Sequence, residues 1–250
     1  NITGGTIPGG MANARTIVAG YQNENPIIQP SFDEVGVGYP IITNYGASQP
    51  YITFQDFTID VINMPVSPAG TEGISSHCVY LGGNFNTWLR VTCLNASRDA
   101  VVAIADTGIT IKDSLMRDCG RVEWSKTSTK GGGVHINWGT NILIEGNVIE
   151  GCRGGGIWLH QDVSITNVIV RNNIIRHFGT DSTWPWAGPG FRHNSGNGIT
   201  FGHGNNMWAY NNLIYNTGNA ADPLGDDNCF FVWGDDRGIG KNFYFYNNPC

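Results

Sequence analysis

The chain has 250 residues, a formal charge of −6 at pH 7, 35 glycines and only 14% charged residues. Long amphipathic helices draw heavily on Lys, Glu, Ala and Leu, so this composition argues against them. The lack of a basic stripe argues against nucleic acid as a partner, and no apolar run reaches the roughly 18 residues of a membrane-spanning helix.

Residues 1–15 read as a lead-in without a clear cap helix. The chain starts at Asn1 with no signal-peptide pattern and reaches Cys250 inside a strand-turn unit, so a trimmed product or a fragment is expected. Six cysteines in a low-charge, Asn-rich chain fit a secreted or cell-surface protein; the sequons Asn1-Ile-Thr3 and Asn95-Ala-Ser97 are common by chance and matter only if the source glycosylates.

From there a unit recurs. Weak copies come first: Thr53-Phe-Gln-Asp-Phe57-Thr-Ile59, Trp88-Leu-Arg-Val-Thr92-Cys-Leu94 and Thr110-Ile-Lys-Asp-Ser114-Leu-Met116. Close copies follow: Leu143-Ile-Glu-Gly-Asn147-Val-Ile149, Ile169-Val-Arg-Asn-Asn173-Ile-Ile175, Trp208-Ala-Tyr-Asn-Asn212-Leu-Ile214 and Tyr244-Phe-Tyr-Asn-Asn248-Pro-Cys250. A second strand keeps the same period: Val79-Tyr-Leu81, Val102-Ala-Ile104, Val134-His-Ile136, Ile157-Trp-Leu159, Ile199-Thr-Phe201 and Phe230-Phe-Val232. The excess between copies is rich in Gly, Pro and Asn. It reads as loop insertions at 120–132, 179–197 and 218–228.

A short period with two or three strands per repeat predicts one coil per repeat. Equivalent strands then stack about 4.8 Å apart in parallel sheets, and about seven coils make one rod. Alternate residues point into a shared core. Val134, Ile136, Ile157, Leu159, Ile199 and Phe201 are expected inside. Asn147, Asn173, Asn212 and Asn248 are expected to stack as an interior amide ladder. A leucine-rich repeat would need a Leu consensus that is absent, and a β-sandwich would not need the fixed period. The expected fold is therefore all-β, a single parallel β-helix spanning 1–250.

From about Thr16 to Cys250 the sequence resembles the right-handed parallel β-helix proteins of the pectate-lyase-like superfamily. The resemblance rests on Arg15-Thr-Ile-Val-Ala-Gly-Tyr-Gln-Asn-Glu-Asn-Pro-Ile-Ile, which looks like a first coil, and on the Gly-Gly-Ile-Trp-Leu and Asn-Asn-Ile-Ile units. It implies the fold more than the activity. Members include polysaccharide lyases, glycoside hydrolases, epimerases, tailspikes and adhesins, and a fold does not fix a function.

In the resembling enzymes the outer face of one sheet holds the saccharide. Here the outward row of the second strand is expected to be Tyr80, Ala103, His135, Trp158, Thr200 and Phe231. The next row is Gly82, Ala105, Asn137, His160, Gly202 and Trp233. Aromatic rings stack on sugars, and His and Asn bond hydroxyls. In the bland alternative, loops fold over the sheet and bury these rings. The insertion at 179–197, with Trp184-Pro-Trp186, is expected either to wall the groove or to form a self-packed cap.

The resemblance implies two chemistries. A lyase needs a base, with Lys130, His135, Arg153 and His160 as candidates. It also needs a cation such as Ca2+ beside acidic groups such as Asp162. A hydrolase needs two carboxyls about 5–10 Å apart, and Asp226-Asp227 and Asp235-Asp236 bracket the last second-strand copy. Gly202-His-Gly204 and Gly225-Asp-Asp-Asn-Cys229 resemble polygalacturonase motifs in reversed order, so those roles are not carried over. Asp-Asp beside Gly is also ordinary loop chemistry. No Cys-x-x-Cys or His-Glu-x-x-His spacing marks a metal site.

Cys119 and Cys152 fall at equivalent positions of neighbouring coils, within disulfide range. Cys93 and Cys250 read as small core residues, and Cys78 and Cys229 lie too far apart to pair. A β-helix leaves open sheet edges at its ends. The alternative to a polysaccharide-acting protein is thus a structural or adhesive solenoid that stacks end to end.

Overall fold

The computed structural model describes residues 7–21, 24–29, 41–43, 49–63, 77–103, 106–120, 131–159, 165–178, 196–217, 228–232 and 241–250. These form a fourteen-stranded and a seven-stranded sheet. Strands pair in parallel throughout, each with its counterpart one coil away. The protein is a right-handed parallel β-helix.

One coil shows how sequence makes the shape. The strand Gly139–Glu145 alternates, with Ile142 and Ile144 buried and Leu143 and Glu145 half-buried. The chain turns at Gly146, runs through Val148–Glu150, turns again at Gly151 and enters Gly155–Leu159. Corners need a left-handed backbone, which Gly adopts freely and Asn more readily than most residues. The positive-φ residues accordingly recur in rows. They are Tyr51, Phe85, Gly108, Asn141, Asn167, Asn206 and Asn242 at one corner, Asp56, Arg90, Asp113, Gly146, Asn172, Asn211 and Asn247 at the next, and Asn95, Asp118, Gly151, His177 and Asn216 at the third. The Gly and Asn content is the cost of three corners per coil.

The interior ladder forms. Asn147 donates its backbone N–H and its Nδ2 to Oδ1 of Asn173, both at 3.0 Å. Asn173 does the same to Asn212 at 3.1 and 2.9 Å, and Asn212 to Asn248 at 3.0 and 2.9 Å. The second Nδ2 hydrogen reaches a backbone carbonyl of the coil on the other side, such as Ile111 or Ile144. A second, outer ladder, Asn141–Asn167–Asn206–Asn242, was not foreseen. The six residues expected inside are all at most 1% exposed.

Two registers differ from expectation by one residue. Thr92 pairs with Leu115, so the ladder position in its coil is Val91, not Thr92. Val102 pairs with His135 and Tyr80, so the outward residue there is Val102, not Ala103. Such a slip moves every side chain to the other face. It puts Cys93 in the core and leaves Leu94 half-buried.

The cysteine expectations change with it. Disulfides join Cys78 to Cys93 and Cys229 to Cys250, with Cα atoms 5.9 and 6.1 Å apart. Cys93 and Cys250 are therefore cross-linked residues rather than small core fillers. Cys119 and Cys152 are neighbours, as expected, but both are free and buried. Burial, and then the hydrogen bond between them, pushes the Cys119 thiol up. A buried thiol held protonated in this way is unreactive.

Candidate functional site

The seven-stranded sheet carries the outward row. Strand pairing sets Tyr80, Val102, His135, Trp158, Thr200 and Phe231 side by side. The row is not an open face. Tyr80, Val102, His135 and Thr200 are between 3% and 8% exposed, whereas Trp158 and Phe231 are half-buried.

At its centre the His135 ring lies flat on Trp158, with centroids 4.7 Å apart and planes 6° from parallel. Parallel strands place equivalent residues about one strand spacing apart, so two flat side chains in one row meet face to face. The His135 Nδ1 is 3.3 Å from Oδ2 of Asp99. The other Asp99 oxygen, Oδ1, accepts the Gly132 N–H at 2.8 Å. The Asp99 backbone carbonyl lies 2.9 Å from Nδ1 of His77. A carbonyl only accepts, so the His77 proton sits on Nδ1. The His77 ring also meets Tyr80 edge-on, 6.5 Å between centroids.

The electrostatics follow from burial. Burial lowers His77 to about 4, against the partly compensating attraction of Asp99, so His77 is neutral at pH 7. Burial alone would raise the Asp99 carboxyl. His135 and its hydrogen bond, then His77 and Arg98, outweigh it and hold Asp99 well below the usual carboxylate range. The site is thus an ionised, buried aspartate whose carboxylate holds His135 and whose backbone carbonyl holds His77.

Asp99 and His77 were missed because the repeat drew attention to strands, and both sit in turns. A signal existed. Extending the pairing back from the strands puts His77, Asp99, Gly132, Gly155 and Asn197 in one row. An acidic residue beside two glycines breaks that row.

Other candidates sit elsewhere. Asn137 is half-buried at the end of the His135 strand, and its N–H donates to Ala103 O at 2.9 Å. Arg153 lies in the turn before Gly155–Leu159, its N–H on the Cys119 carbonyl at 3.0 Å and its Cβ beside Gly120. Lys130, His160, Asp162, Trp184, Trp186, Asp226, Asp227, Trp233 and Asp235 lie outside the described residues. Among the described residues, no group of three His, Cys, Asp or Glu is placed to hold a metal ion, and no helix is long and apolar enough to cross a membrane.

A family model described as "Right handed beta helix region" matches residues 42–249. No curated protein matches the chain. Among solved structures, the Streptococcus pneumoniae surface protein and adhesin PfbA is 10% identical, with a TM-score of 0.41, over 94% of this chain and 78% of that one. The A-module of the Azotobacter vinelandii mannuronan C-5 epimerase AlgE4 is 13% identical, with a TM-score of 0.22, over 96% of this chain and 79% of that one.

Proposed function

Because the chain belongs to the right-handed β-helix family, we propose that it binds a polysaccharide along the outer face of its seven-stranded sheet, with His135 supplying acid–base chemistry. The observation that carries this reading is the His135–Trp158 stack, an imidazole held flat against a half-buried indole in one outward row. A sugar ring packs its apolar face on an aromatic plane and bonds its hydroxyls at the rim. Trp158 and Phe231 supply planes and Asn137 a rim group, with the buried His135 and Thr200 side chains beneath them. Trp184, Trp186 and Trp233 would extend the platform.

On an acidic polysaccharide the matching reaction is lyase chemistry. A base takes the proton α to the uronate carboxylate, the glycosidic C–O bond breaks, and a double bond forms in the new end sugar. His135, held by Asp99, is one base candidate; His160, Lys130 and Arg153 are the others. Asp162, Asp226, Asp227 and Asp235 are the candidates to hold Ca2+ against the substrate carboxylate. The test is incubation with polyuronates, with and without Ca2+, read as ultraviolet absorbance of the unsaturated product and as retarded migration in polysaccharide-containing gels. Absorbance and retardation support the full reading, and retardation alone supports binding without catalysis. Neither effect with any polyuronate overturns it.

A further inference from the structure

We infer that Asp99 is a positioning residue that holds neutral His135 in the tautomer with its proton on Nδ1, leaving Nε2 as the basic nitrogen. This rests on the proposed acid–base role of His135, but its physical content stands apart from any substrate.

An ionised carboxylate only accepts. With Asp99 ionised, the His135 nitrogen that faces Oδ2 at 3.3 Å must present a hydrogen, and that nitrogen is Nδ1. The carboxylate is itself fixed. Its other oxygen takes the Gly132 N–H at 2.8 Å, and the carbonyl of the same residue takes the His77 Nδ1 proton at 2.9 Å. Asp99 therefore ties its own turn to the turns of the coils on both sides. The imidazole is fixed as well. A ring flip would set a carbon against the carboxylate, and a tilt would break the parallel stack on Trp158.

Among the described residues, the other charged or titratable groups around Asp99 are His77 from the turn before Val79–Leu81, Arg98 from the same turn as Asp99, and Cys119 from the turn after Leu115–Arg117. Arg98 cannot accept the Nδ1 proton, and His77 spends its own Nδ1 proton on the Asp99 carbonyl. The assignment falls to Asp99. A purely structural carboxylate would need only to cap the Gly132 amide. The second oxygen, aimed at an imidazole in the outward row, has the geometry that sets a tautomer in carboxylate–histidine pairs of hydrolases.

The substitution Asp99→Asn separates these roles. The amide oxygen keeps the Gly132 N–H, and the His77 contact is to the backbone and survives. The amide NH2 then faces Nδ1 of His135 and can only donate, so the His135 proton moves to Nε2. The experiment is long-range 1H–15N correlation of histidine-labelled protein at a pH where His135 is neutral, with His135→Gln and His77→Gln used for assignment. Wild type is expected to show the Nδ1–H form at His135, and D99N the Nε2–H form with an unchanged circular dichroism spectrum. A wild-type His135 in the Nε2–H form overturns the inference, and so does a folded D99N with the wild-type tautomer. If D99N does not fold, the wild-type spectrum decides alone. Polysaccharide inactivity would defeat the proposed function and leave this readout untouched. On an active substrate, D99N should lower kcat on the order of 10²-fold with little change in KM.

Discussion

Gly133 faces Ile149 across the coil so closely that a Cβ on the glycine would overlap Cγ2 of the isoleucine. The relation repeats at Gly156 with Ile175 and at Gly198 with Ile214. In the same register position, the coil of Cys78 and the coil of Cys229 carry disulfides, Cys78–Cys93 and Cys229–Cys250. A small residue opposite a large one, or two medium residues bonded to each other, fill the same space.

This equivalence predicts a new cross-link. The double substitution Gly133→Cys and Ile149→Cys should form a disulfide, because its two positions match Cys78 and Cys93 coil for coil. A bridge closing a loop of this size should stabilise the fold by about 3 kcal/mol. Peptide mapping without reductant locates the bond, and urea midpoints measure the gain. A single Gly133→Ala should instead cost about 1–3 kcal/mol through overpacking.

The native thiol state is the companion expectation. Denaturing alkylation without reductant should label Cys119 and Cys152 and leave Cys78, Cys93, Cys229 and Cys250 unlabelled. Labelling of none would restore the inter-coil bridge that stacking alone suggested.

The interior ladder should be far more sensitive than the outer one. Asn173→Ala strands the hydrogen bonds that its amide makes to Asn147, Asn212 and Ile144, all in the buried interior. The expected loss is on the order of 3–5 kcal/mol. Asn206 sits at a left-handed corner with φ 55 and bonds an exposed neighbour, so Asn206→Gly should change stability by less than about 1 kcal/mol. Equal losses from the two substitutions would contradict the ladder account.

Acid should weaken the protein through His77. In the folded state its pKa is lowered from 6.5 to about 4. Between those values the unfolded chain binds a proton that the folded one refuses. The stability that His77 contributes is complete above the unfolded value and is lost as the pH falls towards about 4. The loss is about 3 kcal/mol, from roughly 2.5 units at 1.36 kcal/mol each. Asp99, held low, adds acid sensitivity only beneath that window. Urea unfolding of wild type and His77→Gln from pH 7 to pH 4 checks this: the substitution should flatten the slope.

The fold was legible because the period is physical. Asn147, Asn173 and Asn212 recur where an amide must bridge coils, and Ile-x-Leu or Ile-x-Phe recurs where alternate residues enter the core. Register failed where those marks fade. Val91 stands in the ladder position without an amide, and Ile104 invited a frame one residue late. The site was half legible. His135 and Trp158 lie on strands and follow the period. Asp99 and His77 act from turns, where the only mark was a break in a glycine row.

Trp158 and its stacked partner His135 form the proposed saccharide surface. Calorimetric titration of short oligouronates into wild type and into Trp158→Ala, each verified as folded, tests it most directly. Wild type should bind saturably and Trp158→Ala at least tenfold more weakly, a difference of about 1.4 kcal/mol. Equal affinity in the two proteins, or no binding by wild type, would contradict it.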